Sequence, residues 1–122
     1  PGKLNDALAC LALRHHDQIM ARNRDIITTN LKAASAWMAA SGEVLSWTPP
    51  RGGLLALLKY DLPVDSLTLA DMLATEYSVM LAPGAAFGYE HHLRLGIGQQ
   101  PDIFAAGLVE ATRGLERWRA AR

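Results

Sequence analysis

Apolar residues recur at helical spacing through the first third of the chain. Residues 5–41 are rich in alanine, leucine, methionine and arginine and hold no proline, the composition of long or consecutive helices. Met20, Ile27, Leu31, Ala34 and Met38 form one apolar stripe, interrupted by Arg24, with a polar opposite face. His15-His16-Asp17 is placed to break a first short helix from a long one, with Asp17 as candidate cap of the second, and Gly42 supplies the stop. Beyond Gly42 the period changes. Residues 44–48 read as a strand, 49–53 as a turn, and 53–60 as a second strand, apolar almost throughout and so expected to be buried on both faces. Residues 63–66 form a loop with Asp65 or Ser66 as helix cap, and Leu69, Ala70, Leu73 and Tyr77 make the buried face of the helix that follows. A short strand is expected at 79–81, closed by a Pro83-Gly84 turn, and another at 92–97. Pro101 opens a last helix in which Phe104, Leu108, Ala111, Leu115 and Trp118 repeat at spacings of four and three. The order helix, strand, strand, helix, strand, strand, helix predicts an α+β fold: a small, mainly antiparallel sheet with helices packed on it, behind a long N-terminal helix.

The length of 122 residues, half of them hydrophobic, suits one domain with one core. It divides into a helical region at 1–41 and a sheet-and-helix core at 42–122. Twelve basic residues balance twelve acidic ones, so no overall field favours nucleic acid or an anionic membrane. Cys10 is the only cysteine, which excludes an internal disulfide and the cysteine-rich zinc patterns and fits a reducing, cytoplasmic setting. No apolar stretch has bilayer-spanning length and no signal-peptide pattern opens the chain. The numbering starts at Pro1 rather than a methionine, and the expectation is a piece of a longer polypeptide.

One charge stands out against the apolar pattern. In "LAPGAAFGYEHHLRLGIG" (81–98), strand alternation puts Leu93, Leu95 and Ile97 on one face and His92, Arg94 and Gly96 on the other. Gly96 would leave open space beside the Arg94 guanidinium, whose planar fork matches a carboxylate in two parallel hydrogen bonds. An internal ion pair, or a plain exposed arginine, accounts for the pattern as well. The segment Pro83-Gly84-Ala85-Ala86 has little side-chain bulk, so its backbone can approach a ligand or another surface closely, with Phe87 closing the loop against the core. An ordinary tight turn is the plainer account.

Three passages in order carry a resemblance: "PPRGG" (49–53) opening an apolar strand, "LATEYSVMLAPGAAFG" (73–88), and "HLRLGIG" (92–98) before a terminal helix. Together they resemble the C-terminal small domain of class I/II aminotransferases, pyridoxal-phosphate (PLP) enzymes of fold type I. The matching positions are Pro50, Gly52 and Gly53; Val79, Pro83, Gly84 and Phe87; and Arg94. "RHHDQIMARNRDII" (14–27) resembles the long helix that links the two domains of these enzymes. The resemblance implies that Arg94 binds the substrate α-carboxylate; strand alternation puts His92 on the same face, where it is a candidate to line the same pocket. It implies PLP in the parent enzyme, an N-terminal large PLP-binding domain in the same chain, amino acid and 2-oxo acid substrates, and a homodimer. It also implies that the piece alone is inactive, with no catalytic or cofactor-binding residue of its own. Lys3, Lys32 and Lys59 are its only lysines, and none has the family's lysine context. Leu54 and Leu55 stand where an aromatic residue often follows the paired glycines, which leaves side-chain specificity open.

Two other readings remain. The same fold hosts lyases, decarboxylases, cyclising synthases and aminotransferase-like regulator domains. A free-standing carboxylate-binding or dimerisation module would use Arg94 without chemistry, although such modules usually begin with a strand. No metal site is expected: the neighbours in His15-His16 and in His91-His92 point in different directions. Cys10, among alanines and leucines, reads as a buried, inert thiol. Ser46, Ser66 and Ser78 lack the glycine-flanked elbow of hydrolases, and Gly52-Gly53 lacks the lysine and hydroxyl of a phosphate loop. Arg113, Arg117, Arg119 and Arg122 alternate with Glu110 and Glu116 as on a solvated helix face.

Overall fold

The structure, a computed structural model, describes residues 2–120. The chain opens with two helices, α1 (Lys3–Arg14) and α2 (His16–Ala40), broken at His15 where the sequence places the break. Asp17 does not cap α2: the cap position is His15, and Asp17 sits in the first turn, where its charge still favours the helix N-terminus. Gly42, at φ +63°, turns the chain out of α2. The antiparallel sheet has the order β1-β2-β4-β3, from β1 (Leu45–Trp47), β2 (Leu55–Tyr60), β3 (Ala82–Pro83) and β4 (His92–Gly96). The third helix, α3 (Ser66–Tyr77), starts at Asp65, whose carboxylate accepts from the Thr68 N–H at 2.9 Å. The fourth, α4 (Pro101–Arg119), has Pro101 in its first turn, where the missing N–H leaves no bond unmade. Arg122, counted above with the basic residues of this end, lies outside the described residues.

One face of the sheet carries the core. Ala56, Leu58 and Tyr60 of β2 and Leu93 and Leu95 of β4 pack with Ala34 and Met38 of α2, Leu69 and Leu73 of α3, and Phe104, Leu108 and Leu115 of α4. Burial of this order, at about 25 cal/mol per Å² of apolar surface, is what holds the layers together.

The other face of the sheet is open, which corrects the expectation for β2. Leu55 and Leu57 point outward at 53% and 36% exposure, because no element among the described residues covers that side. A run of leucines reads the same whether the cover for its second face lies inside the chain or beyond it. Cys10 departs from expectation for a related reason. It is exposed, since no residue of α1 is buried and Leu4, Leu8, Leu11 and Leu13 all face outward.

The third strand also lies elsewhere than at 79–81. Ser78 takes a left-handed conformation, and the Val79 N–H returns to the Leu73 carbonyl at 2.9 Å. That helix-terminating bond consumes the first residues after α3 and delays pairing until Ala82. No helix among the described residues is long and apolar enough to cross a membrane.

Candidate functional site

Arg94 sits near the middle of the open sheet face. Its strand lies between β2 and β3, with Leu57 its register partner on one side and Ala82 on the other. Leu93, Leu95 and Ile97 are buried at 1%, 6% and 1%, so the arginine faces away from the core as the alternation predicts. No carboxylate among the described residues pairs with it, which removes the internal ion pair as an account of this charge. Its guanidinium carbon instead lies over the Phe87 ring, 4.5 Å from the centroid.

The loops that frame Arg94 come from the sequence motifs. A 3-10 turn, Gly84–Phe87, follows β3 and lies at the His92 end of β4. The 49–53 connection, with Pro50 half-buried and Gly52 and Gly53 exposed, enters β2 at the opposite end. There the Ile97 N–H donates to the Leu54 carbonyl at 2.8 Å.

Two local expectations change. The backbone approach at Gly84 is internal, since a Cβ there would collide with the Tyr89 and His92 carbonyls; Gly84 is buried and offers no surface to a ligand. Phe87 does not close on the core: it is 44% exposed, carried outward by the tight turn and laid against Arg94. The space beside Gly96 is bordered by the exposed Gln99 side chain, whose amide nitrogen would lie 3.1 Å from a Cβ built there.

His92 shares the outer face with Arg94, but it borders clefts that run toward Ser46 and Lys59. Its Nδ1 is 2.8 Å from the Glu90 carbonyl and its ring stands edge-on to Tyr89. The His91 ring meets Tyr60 instead, so the two neighbours serve different contacts.

Two polar networks that pattern reading misses hold this region. Glu90 Oε1 accepts from the Ser66 N–H at 2.6 Å and the His91 N–H at 2.9 Å, while Ser66 Oγ, fully buried, accepts from the Ala85 N–H at 3.0 Å. The His91 N–H first, then Ser66, holds the Glu90 carboxyl below its ordinary range. Burial, with the Glu90 and Asp65 charges added, pushes the Tyr60 phenol well up, and its hydroxyl donates to the Val64 carbonyl at 2.9 Å. The second network is Asn30 of α2, 1% exposed, which donates to the Ile97 carbonyl at 3.1 Å and the Gln99 carbonyl at 2.7 Å. It ties α2 to the end of the strand that bears Arg94.

The described residues do not fit PLP by themselves. Lys3 opens α1 and Lys32 is exposed on α2, each apart from the Arg94 face. Lys59 borders an open cleft of about 580 Å³ shared with Glu43, Asp61 and Glu90, three acids that would repel a phosphate rather than cradle it.

No family model matches the chain. Capreomycidine synthase of Streptomyces vinaceus is 27% identical over 112 residues, which is 92% of this chain and 27% of that enzyme. A PLP-dependent aminotransferase from Streptococcus suis 89-1591 is 27% identical, with a TM-score of 0.90 over 96% of this chain and 31% of its own. The PLP-dependent cyclase OrfR is 32% identical, with a TM-score of 0.89 over 96% of this chain and 32% of its own. An aromatic aminotransferase from Pyrococcus horikoshii OT3, at 18% identity and a TM-score of 0.74, shares the fold. The chain thus spans about a third of the length of the proteins it matches. In fold and in sequence, these residues are similar to a domain of PLP-dependent aminotransferases and of a PLP-dependent cyclase, consistent with fold type I.

Proposed function

We propose that these residues form the small domain of a longer PLP-dependent enzyme acting on an α-amino acid, and that Arg94 holds the substrate's α-carboxylate. The observation that carries this reading is an arginine on an interior strand, aimed out of an open face, with no acidic partner among the described residues. A carboxylate arriving there meets a cation that no internal pair neutralises, and a strand fixes its base more firmly than a loop would. The cofactor is held by the rest of that polypeptide, with residues 1–41 leading from it into the domain. The isolated 122 residues are then catalytically inactive and do not bind PLP specifically. The exposed leucines of α1 and β2 suit a domain whose remaining cover comes from that larger part. The reaction is transfer of an amino group between an amino acid and a 2-oxo acid, in a homodimer.

A second reading, ring closure on an amino acid side chain, is favoured by the likeness to OrfR and to capreomycidine synthase. Consumption of a 2-oxo acid with each turnover supports transamination; a cyclic product without it supports ring closure.

Arg94→Ala and Arg94→Lys in the longer native polypeptide test the shared part. Loss of a two-pronged, charge-assisted pair should raise KM for amino acid and 2-oxo acid alike by about 10- to 100-fold. Lysine should recover only part of this, because it lacks the planar fork. Unchanged kinetics in Arg94→Ala would remove the role.

A further inference from the structure

Phe87 is a large apolar side chain left half in solvent, and its ring lies over a cation rather than in the core. The turn that presents it is firmly tied. Ala85 N–H donates to buried Ser66 Oγ at 3.0 Å, Gly88 N–H to the Ala85 carbonyl at 3.1 Å, and Tyr89 N–H to the Gly84 carbonyl at 2.9 Å. A ring held this way can hold something else.

An unrestrained arginine on a sheet surface swings through many rotamers, and a ligand that uses it must freeze them. A ring whose centroid lies 4.5 Å from the guanidinium carbon holds the group in place, and one that stacks flat on it covers a face of the plane while leaving the in-plane N–H edges free. Those edges are the ones a carboxylate takes in pairs. On the two strands flanking Arg94, its register partners are Ala82, a single methyl that leaves room, and Leu57, which offers no competing acceptor.

We propose that Phe87 is a positioning residue. It fixes the plane of the Arg94 guanidinium before substrate arrives, and so strengthens the enzyme's preference for amines that carry an α-carboxylate. This rests on the reading that Arg94 binds that carboxylate. Phe87 touches neither the reacting atoms nor the substrate in this role; it acts through the arginine.

The test uses the longer native polypeptide in its cofactor-loaded form. Wild type, Arg94→Ala, Phe87→Leu, Phe87→Met and Phe87→Tyr are compared on an α-amino acid and on the same amine without its carboxylate. Phe87→Leu and Phe87→Met should raise KM for the amino acid about 3- to 30-fold with kcat nearly unchanged, and leave kcat/KM for the plain amine alone. Phe87→Tyr, which keeps the ring, should restore the wild-type value. The dissociation constant of a simple aliphatic monocarboxylate, read by calorimetry, should weaken by the same factor. If Arg94→Ala collapses the selectivity while both aliphatic variants keep it, Phe87 does not position the arginine and the proposal fails alone. If the variants lower acid and amine equally, the ring is only structural and the proposal is likewise overturned. If Arg94→Ala itself leaves selectivity intact, the underlying reading falls and takes this one with it.

Discussion

Replacing Asn30 with alanine should destabilise the chain by about 2 kcal/mol. The side chain is 1% exposed and spends both amide hydrogens on carbonyls, Ile97 at 3.1 Å and Gln99 at 2.7 Å. Each such bond is worth about 1 kcal/mol net. The two carbonyls then part company: Gln99 is exposed and can take water, whereas Ile97 is 1% exposed and its carbonyl stays poorly solvated, adding to the loss. Against this, Asn30 Oδ1 is buried without a partner among the described residues, so deleting it relieves a penalty. The balance of about 2 kcal/mol corresponds to roughly a 30-fold shift in the unfolding equilibrium.

Asn30→Asp sharpens the test. A carboxylate has no hydrogen to give and sets its charge against two carbonyl oxygens, while the protonated acid can donate once. Its folded-state pKa must therefore rise above the unfolded value of about 3.9. The donated bond is fully present below that unfolded value and is lost as pH rises through the folded one. Urea unfolding followed by tryptophan fluorescence reports all of this, since Trp37 and Trp118 pack against the core. An Asn30→Ala variant within about 0.5 kcal/mol of wild type would refute the reasoning. So would an Asn30→Asp variant whose stability relative to Asn30→Ala does not fall between about pH 4 and pH 7.

Gly114→Ala should lower stability by about 1–2 kcal/mol despite alanine's better helix propensity, because the new methyl would collide with the fully buried Leu73 side chain and press on the Tyr77 ring at 3.2 Å. Chemical denaturation measures it, and a stabilised variant would show that α3 and α4 can move apart. Glu90 and Asp65 are held below the ordinary carboxylate range, so their contribution is present above that range and is lost as pH falls through their depressed folded values. Thermal melts between about pH 6 and pH 2 should show a shallower acid loss for Glu90→Gln than for wild type; parallel curves would contradict the Glu90 network.

What the sequence disclosed and what it hid follow from the range of the interactions concerned. The apolar positions of α4, its proline start and the break at His15 are local, and they fold where the pattern puts them. The outward aim of Arg94 follows from alternation within one strand. The open second face of β2 was not legible, because a leucine reads the same whether or not another element covers it, and among the described residues none does. Asn30 reads as one more residue of a polar helix face, since its acceptors lie 67 and 69 residues away on main-chain atoms that carry no sequence signal. The Phe87 ring reads as a core residue because phenylalanine usually belongs there; the tight turn and the close backbone approach at Gly84 send it outward.

The most direct test of the central claim is a crystal structure of the proposed longer polypeptide with a substrate-like amino acid bound. The account predicts both carboxylate oxygens within about 3 Å of the Arg94 guanidinium nitrogens, in the plane of the fork. A carboxylate seated elsewhere, or Arg94 paired with an acidic side chain from the remainder of the polypeptide, would contradict it.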